Sequence, residues 1–169
     1  MEQINQLLSF TQHQGPVTSL EMLYRVLTAT YNRISEIVPQ SVLLVNGSAA
    51  YFHHYQQHID SATVMNDIDI TLINQKETIR ELFGAACLLT NAKMVRDTCA
   101  VIPMGVVDLH LDIDYRRQIT HFRSGVSSPK LPLQVRFESK PLLNAFYRGM
   151  NRPKDQEKLR IMALHTRTT

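Results

Sequence analysis

Cysteine is scarce in this chain of 169 residues, with only Cys87 and Cys99 present. Their spacing matches no zinc or redox motif, and two thiols cannot make a disulfide framework, so both are expected as buried thiols. No apolar run approaches the roughly 20 residues that cross a bilayer. The opening Met1-Glu2-Gln3-Ile4-Asn5-Gln6 has neither the basic start nor the apolar core of a signal peptide. A cytoplasmic protein with no membrane partner is the expectation. Low-complexity tracts and internal repeats are missing too, which argues against disordered and fibrous classes. What remains is an ordinary globular composition, 44% hydrophobic and 20% charged.

The length fits one domain. Charge is unevenly distributed along it. Residues 1–115 hold 12 acidic and 6 basic side chains, and residues 116–169 hold 3 acidic and 12 basic. Such polarity suits an acidic metal site facing a basic surface that receives phosphates, and it arises equally from solvated helix faces.

Periodicity places the elements. Ile4 to Phe10 is a short amphipathic segment before Gly15-Pro16. Leu20, Leu23, Tyr24, Leu27, Tyr31, Ile34 and Val38 then recur at helical spacing up to Pro39, a stripe that reads as core packing. Ser41 to Val45 is an apolar, β-favouring run, followed by helix-compatible sequence from Ser48 to His58. Asp67 to Ile73 alternates acidic or polar with apolar residues, as a strand with one polar face does. Gln75 to Leu89 returns to helical spacing. Lys93 to Val101 reads as extended up to a turn at Pro103-Met104-Gly105, and Val106 to Ile113 as the next alternating strand. Met94 and Met104 are expected in the core. Asp114 to Leu133 reads as a basic loop, Leu133 to Phe137 as a strand, and Ser139 as the cap of a helix that tolerates Pro141 in its first turn. A last helix runs from Pro153 toward Leu164. The predicted organisation is one α/β (α+β) domain over 1–169: a small mixed sheet within a core at about 41–138, N-terminal helices in 2–38 and C-terminal helices in 139–165.

Three pieces carry chemistry: Val45-Asn46-Gly47-Ser48 at a strand-to-helix junction, Asn66-Asp67-Ile68-Asp69-Ile70 on a strand, and Val107-Asp108-Leu109 on a later strand. Residues two apart on a strand share a face, so Asp67 and Asp69 converge, and a strand paired nearby adds Asp108. Like charges so close raise each other's pKa, and a divalent cation such as Mg²⁺ (or Mn²⁺) relieves the repulsion, preferring oxygen ligands together with substrate phosphates. Gly47 lets backbone approach a ligand, and the helix beginning near Ser48 aims N–H groups at an anion. A triphosphate suits both ends. Asp108, His110 and Asp112 share one strand face, so either Asp108 or Asp112 could be the third carboxylate, and His110 reads as a hydrogen-bonded bystander.

This ordered set resembles the nucleotidyltransferase superfamily, which includes DNA polymerase beta, poly(A) polymerases and the abortive-infection-type toxins. Its pattern is a Gly-Ser or Gly-Gly turn, an Asp-x-Asp strand and a third Asp. The match spans about Val42 to Asp112. A weaker likeness continues through Leu142-Leu143 and Arg152-Pro153-Lys154-Asp155, which looks like the Arg-x-Lys-Asp segment of the abortive-infection-type relatives.

The resemblance implies that Asp67 and Asp69 bridge two metals, that Asp108 ligates the metal activating an acceptor hydroxyl, and that Gly47 and Ser48 hold phosphates. Arg152 and Lys154 would touch phosphate, anchored by Asp155. Where relatives often carry a phosphate-contacting lysine, this chain offers Arg148, and Asn46 stands where a second turn glycine would be. The implied reaction transfers a nucleoside monophosphate from a nucleoside triphosphate to a hydroxyl on RNA, protein or a small molecule, releasing pyrophosphate. With little chain beyond the core, a homodimer or protein partner could complete the acceptor site. The alternative is a nucleotidyltransferase-like module, catalytically weak or inactive, that acts with a protein or RNA partner.

Two further patterns carry less. His54 and His58, four apart on a helix, lack the downstream ligand of any zinc spacing. Arg116, Arg117, Arg123 and Lys130, with Tyr115 and Phe122 nearby, could receive RNA, although solvated charge is the commoner explanation of such a loop.

Overall fold

The computed structural model describes residues 1–9, 15–59 and 64–166. Phe10, the predicted end of the first helix, lies outside the described residues. The chain begins with helices α1 (Glu2–Leu8) and α2 (Leu20–Ile37), then strand β1 (Val42–Val45) and helix α3 (Gly47–Tyr55), which ends in a 3₁₀ turn. Strand β2 (Ile68–Ile73), helix α4 (Lys76–Leu89) and strands β3 (Lys93–Arg96), β4 (Cys99–Met104) and β5 (Val107–Asp112) follow. Helix α5 (Tyr115–Arg123), strands β6 (Val126–Ser127) and β7 (Val135–Phe137), and helices α6 (Lys140–Met150) and α7 (Gln156–Thr166) complete it.

The strands form one mixed sheet in the order β3-β4-β5-β2-β1-β7-β6. β2 runs parallel to β5 and antiparallel to β1, and β1 runs parallel to β7. This is the mixed α/β class the patterning predicts. Ile68, Ile70 and Leu72 of β2, with Leu109 and Leu111 of β5, are buried in the main apolar core beneath α1, α2, α3, α4, α6 and α7. Leu27 and Ile34 of α2 are fully buried in the same core, and Ser19 caps that helix by accepting a 3.1 Å bond from the Met22 N–H. Among the described residues no helix is long and apolar enough to cross a membrane.

Strand alternation sends Val42 and Leu44 of β1, Ile73 and Thr71 of β2, and Asp112 and His110 of β5 to the opposite face. α5 covers one end of that face, where Phe122 packs with Leu44 and Ile73. The other end is where Asn46, Asp69 and Asp108 come together.

Several expectations need correction. Residues 114–133 are not one basic loop: α5 and β6 lie within them. Asp114 caps α5 by accepting from the Arg117 N–H at 3.1 Å. Its apolar contacts are Ile119 and Phe122 alone, too few to register as a periodic stripe. Phe122 is buried with the Arg136 guanidinium 4.9 Å over its ring, so it is not free to stack a base.

The extended run beginning at Lys93 is a hairpin, β3 turning into β4, and Pro103 and Met104 belong to the strand rather than to the turn. Pro103 is tolerated because β3 pairs with β4 only as far as Val101, so its missing N–H costs no ladder bond on that side. The turn is Gly105-Val106, with Gly105 at φ 67°. Cys99 is buried but Cys87 is exposed, and Met94 is exposed while Met104 is buried. Cys87 and Met94 sit together, their sulfurs 3.4 Å apart, where α4 meets the edge strand β3.

Of the histidines considered as a pair, His54 lies on α3 and His58 in the 3₁₀ turn after it, and His54 and its neighbour His53 are engaged in packing. The His53 ring stacks on Phe137 with centroids 3.7 Å apart and its Nδ1 is hydrogen-bonded to the Tyr24 hydroxyl at 3.0 Å, while His54 Nε2 donates to the Glu138 carbonyl at 2.7 Å. Burial, with a smaller effect of His54, lowers the His53 pKa to about 4. An unfolded chain takes up this proton near pH 6.5 and the folded chain does not, so stability falls as pH drops from about 6.5 to about 4. With solvent screening the loss is expected at about 1–2 kcal/mol. Urea unfolding across that window should show it, and His53→Phe, which keeps the stacking ring, should flatten the slope.

Candidate functional site

The parallel pairing of β2 and β5 sets Asp69 directly opposite Asp108 and Thr71 opposite His110. Two carboxylates therefore share one sheet face as lateral neighbours. Asp67, two residues before Asp69, is exposed at the strand entrance. Burial raises the Asp108 pKa, and the negative charges of Asp69 and Asp67 add to the rise. The three predicted carboxylates thus feel one another.

His110 is hydrogen-bonded, as its polar strand face suggests, and its partner is a predicted site carboxylate: its Nε2 lies 3.0 Å from Asp69 Oδ1. Burial works against protonating this ring, but the hydrogen bond and charge of Asp69, aided by the Cys99 side chain, raise its pKa to about 9. At neutral pH it is an imidazolium paired with Asp69. The period-two placement of His110 beside Asp108 put it on this face, but its partner depends on the register between β2 and β5, which is not a local property.

Asn46 follows β1 and continues its ladder, its N–H donating to the Asp69 carbonyl at 2.8 Å. The Thr71 hydroxyl donates to Asn46 Oδ1 at 2.7 Å, which fixes the side chain that stands where a second glycine was expected. Gly47 then turns the chain into α3 at φ 56°, a left-handed conformation that glycine adopts without steric cost. A Cβ there would lie 3.0 Å from Asp69 Oδ2, so glycine is also what lets the carboxylate sit against the turn. Glu138, after β7, accepts from the Gly47 N–H and the Asn46 side chain, although burial outweighs these bonds and raises its pKa. Asn46, Gly47, Asp69, Thr71, His110 and Glu138, with Phe146, line a cavity of about 180 Å³.

One basic group here was missed. Lys158 of α7 is half-buried, its Nζ donating to Ser48 Oγ at 3.0 Å and to the Tyr147 hydroxyl at 3.2 Å. The ammonium also lies 4.7 Å over the Tyr147 ring and 5.5 Å over that of Tyr51. Burial lowers its pKa, against the attraction of Asp155 and, more weakly, Asp67. It occupies the place beside Ser48 that the sequence reading sought for Arg148. Arg148 instead lines a separate groove with Tyr55, Lys140 and His165.

Arg152 is tied by its Nε to Oδ2 of the fully buried Asp155 at 2.5 Å, the anchoring expected of that aspartate, and Asp69 contributes to raising its pKa after Asp155 itself. Lys154 is exposed and near enough to lower the Lys158 pKa. Cationic side chains of the 152–158 segment thus stand within electrostatic reach of the carboxylates.

Asp112 is committed elsewhere. Its carboxylate accepts from the Arg96 and Arg117 guanidinium groups, from the Gln118 amide at 2.9 Å and from the Asp114 N–H at 2.8 Å. Burial opposes its ionisation, but the Asp114, Gln118 and Arg117 contacts together hold its pKa below the ordinary range. It closes the α5 end of the polar face as a structural anion. Asp112→Ala is expected to cost about 2 kcal/mol of stability in thermal or urea unfolding, by leaving these donors unpaired, with little effect on ligand binding by the folded chain.

Comparison with protein-family models, with curated proteins and with solved structures yields no match to this chain. The site's chemistry therefore rests on its own residues. Among the described residues no group of three His, Cys, Asp or Glu side chains is arranged to hold a metal ion by itself. The donor set nonetheless fits Mg²⁺, which uses one or two carboxylates together with water and substrate phosphates rather than an all-protein cage. Burial is the larger cause of the raised Asp108 pKa, and the part that Asp69 and Asp67 add is repulsion of the kind a cation relieves.

Proposed function

We propose that the chain is a metal-dependent nucleotidyltransferase of the nucleotidyltransferase fold, moving a nucleoside monophosphate from a nucleoside triphosphate to an acceptor hydroxyl. The observation that carries this reading is the lateral Asp69–Asp108 pair standing against the Gly47-Ser48 turn, with the Lys158 ammonium on the Ser48 hydroxyl. Carboxylates for cations and the Ser48 hydroxyl with its Lys158 ammonium for phosphates then meet at one end of the sheet.

Asp69 and Asp108, with Asp67 at the rim, would hold Mg²⁺ or Mn²⁺, which supplies charge stabilisation to an in-line displacement at phosphorus. The protein's share is position and electrostatics. The Ser48 end of α3 and Lys158 bind the phosphates, with Arg152 and Lys154 adding positive charge along the same approach. A cavity of about 180 Å³ suits phosphate oxygens rather than a whole nucleotide, so the nucleoside lies outward, toward Phe146. In the transfer the acceptor oxygen forms a bond to the α-phosphorus, the bond from that phosphorus to the bridging oxygen breaks, and pyrophosphate leaves with the electron pair. The acceptor proton passes to a carboxylate or to solvent.

The test is incubation with each α-labelled nucleoside triphosphate, Mg²⁺ and a panel of RNA, protein and small-molecule acceptors, reading label transfer and pyrophosphate. Transfer that Asp108→Asn abolishes supports the reading. Label transfer unchanged by that substitution contradicts it. One observation favours a non-catalytic binding module instead: the His110 ring already occupies Asp69 Oδ1 at 3.0 Å. That reading predicts nucleotide binding that neither needs metal nor leads to turnover.

A further inference from the structure

On the α3–α6–α7 side lies a larger groove of about 440 Å³ that the carboxylate site does not use. Lys140, Asn144 and Arg148 line it from α6, spaced four residues apart and so stacked along one helix face, and His165 lines it from α7. Among the described residues no aspartate or glutamate lines it. The acid closest in sequence, Glu138, lines the other cavity. Lys140 Nζ is held 5.2 Å over the Tyr55 ring, and the His165 imidazole stacks on His58 with centroids 3.4 Å apart. An ammonium, a carboxamide and a guanidinium fork thus offer hydrogen-bond donors to one space, and the two positive charges flank the amide.

We propose that this groove is a phosphate-binding site, with Lys140 and Arg148 converging on a phosphate group over Asn144. A phosphate presents only acceptor oxygens and carries the charge that two flanking cations select, and Arg supplies paired donors that match its geometry. The proposal is independent of the metal-dependent reading, because it shares no residue with the Asp69 cavity and needs no divalent cation.

The test is amide chemical-shift mapping of the full chain with inorganic phosphate, with adenosine monophosphate and with a ten-nucleotide RNA, against acetate as an anion control. The expected result is saturable shifts at Asn144, Ala145 and Thr166 with phosphate probes and not with acetate, weakened at least tenfold in a Lys140→Gln, Arg148→Gln double variant that keeps its circular dichroism. RNA binding tighter than the monophosphate and weakening with salt identifies a nucleic-acid strand as the source of the phosphate. Equal affinity identifies a free phosphate monoester. The same shifts should persist in Asp69→Asn, which separates this site from the carboxylate pocket. Absence of shifts at those amides with every phosphate probe, or unchanged affinity in the double variant, overturns the proposal.

Discussion

Asp69→Asn is expected to reduce Mg²⁺-dependent binding of nucleoside triphosphate by about 100-fold or more, since even residues behind a metal ligand commonly contribute 10–100-fold. Asp69 is the point at which the separate parts of the site meet. Its Oδ1 pairs with His110, its Oδ2 faces the Gly47 turn, its backbone carbonyl accepts from Asn46, and Asp108 is its lateral neighbour. The substitution keeps shape and removes charge. His110 then releases the proton that Asp69 holds on it, so no unpaired buried cation remains, and what is lost at neutral pH is the stability of the pairing itself, about 1–2 kcal/mol after solvent screening. Calorimetric titration with a matched thermal melt separates the two effects. A large loss of binding with a melt lowered by only a few degrees is the expected pair of results.

Lys158→Met should behave differently from a mutation in the core. The ammonium is desolvated, as its lowered pKa records, and its neighbours Ser48 and Tyr147 can hydrogen-bond to each other once it is gone. Replacing a buried charge by an apolar chain of similar length is often neutral or stabilising. Melting should therefore be unchanged or slightly higher. Triphosphate affinity should nonetheless fall about 10–100-fold, the loss of one charged hydrogen bond of about 1.5–3 kcal/mol. Arg148→Met, at the other groove, should leave the Mg²⁺-dependent component of triphosphate binding within about twofold, because additivity and independence hold for distant residues. Equal losses in both variants would mean that phosphate is held by general surface charge rather than by the Ser48 turn.

These outcomes bear on how much was legible in the residues. The period-two pattern of Asp67-Ile68-Asp69-Ile70 sufficed for a half-polar strand, because alternation is a local property of extended backbone. The helix from Leu20 and the strand at Val42 followed from the same kind of local regularity. The site itself was readable where it rests on local geometry: Gly47 at a turn into a helix, and two acids on one strand face. The decision between Asp108 and Asp112 was not local, since both share a face of β5. It depended on which end α5 covers and on the arrival of Arg96, Arg117 and Gln118 at Asp112.

Lys158 was invisible for a related reason. It lies 110 residues from Ser48, and nothing in Gln156-Glu157-Lys158-Leu159 distinguishes it from a solvated helix lysine. Only the packing of α7 against α3 and α6 gives it a polar partner and aromatic walls. α5 was hidden because a helix that covers just one end of a sheet needs few apolar residues, and the arginines between them read as loop charge. Conversely, Arg148 sat at a plausible spacing and still faces away, because the side of α6 that meets α3 presents Tyr147 and turns the next residue outward.

The account's central claim is that one metal-dependent triphosphate site exists between the Asp69–Asp108 pair and the Gly47-Ser48 turn. Its most direct test is calorimetric titration of the native chain with each nucleoside triphosphate, in Mg²⁺ or Mn²⁺ and again in excess chelator. Saturable binding of at least one triphosphate that needs the divalent cation is the predicted result. No binding of any triphosphate with either cation, or equal binding with and without them, would contradict it.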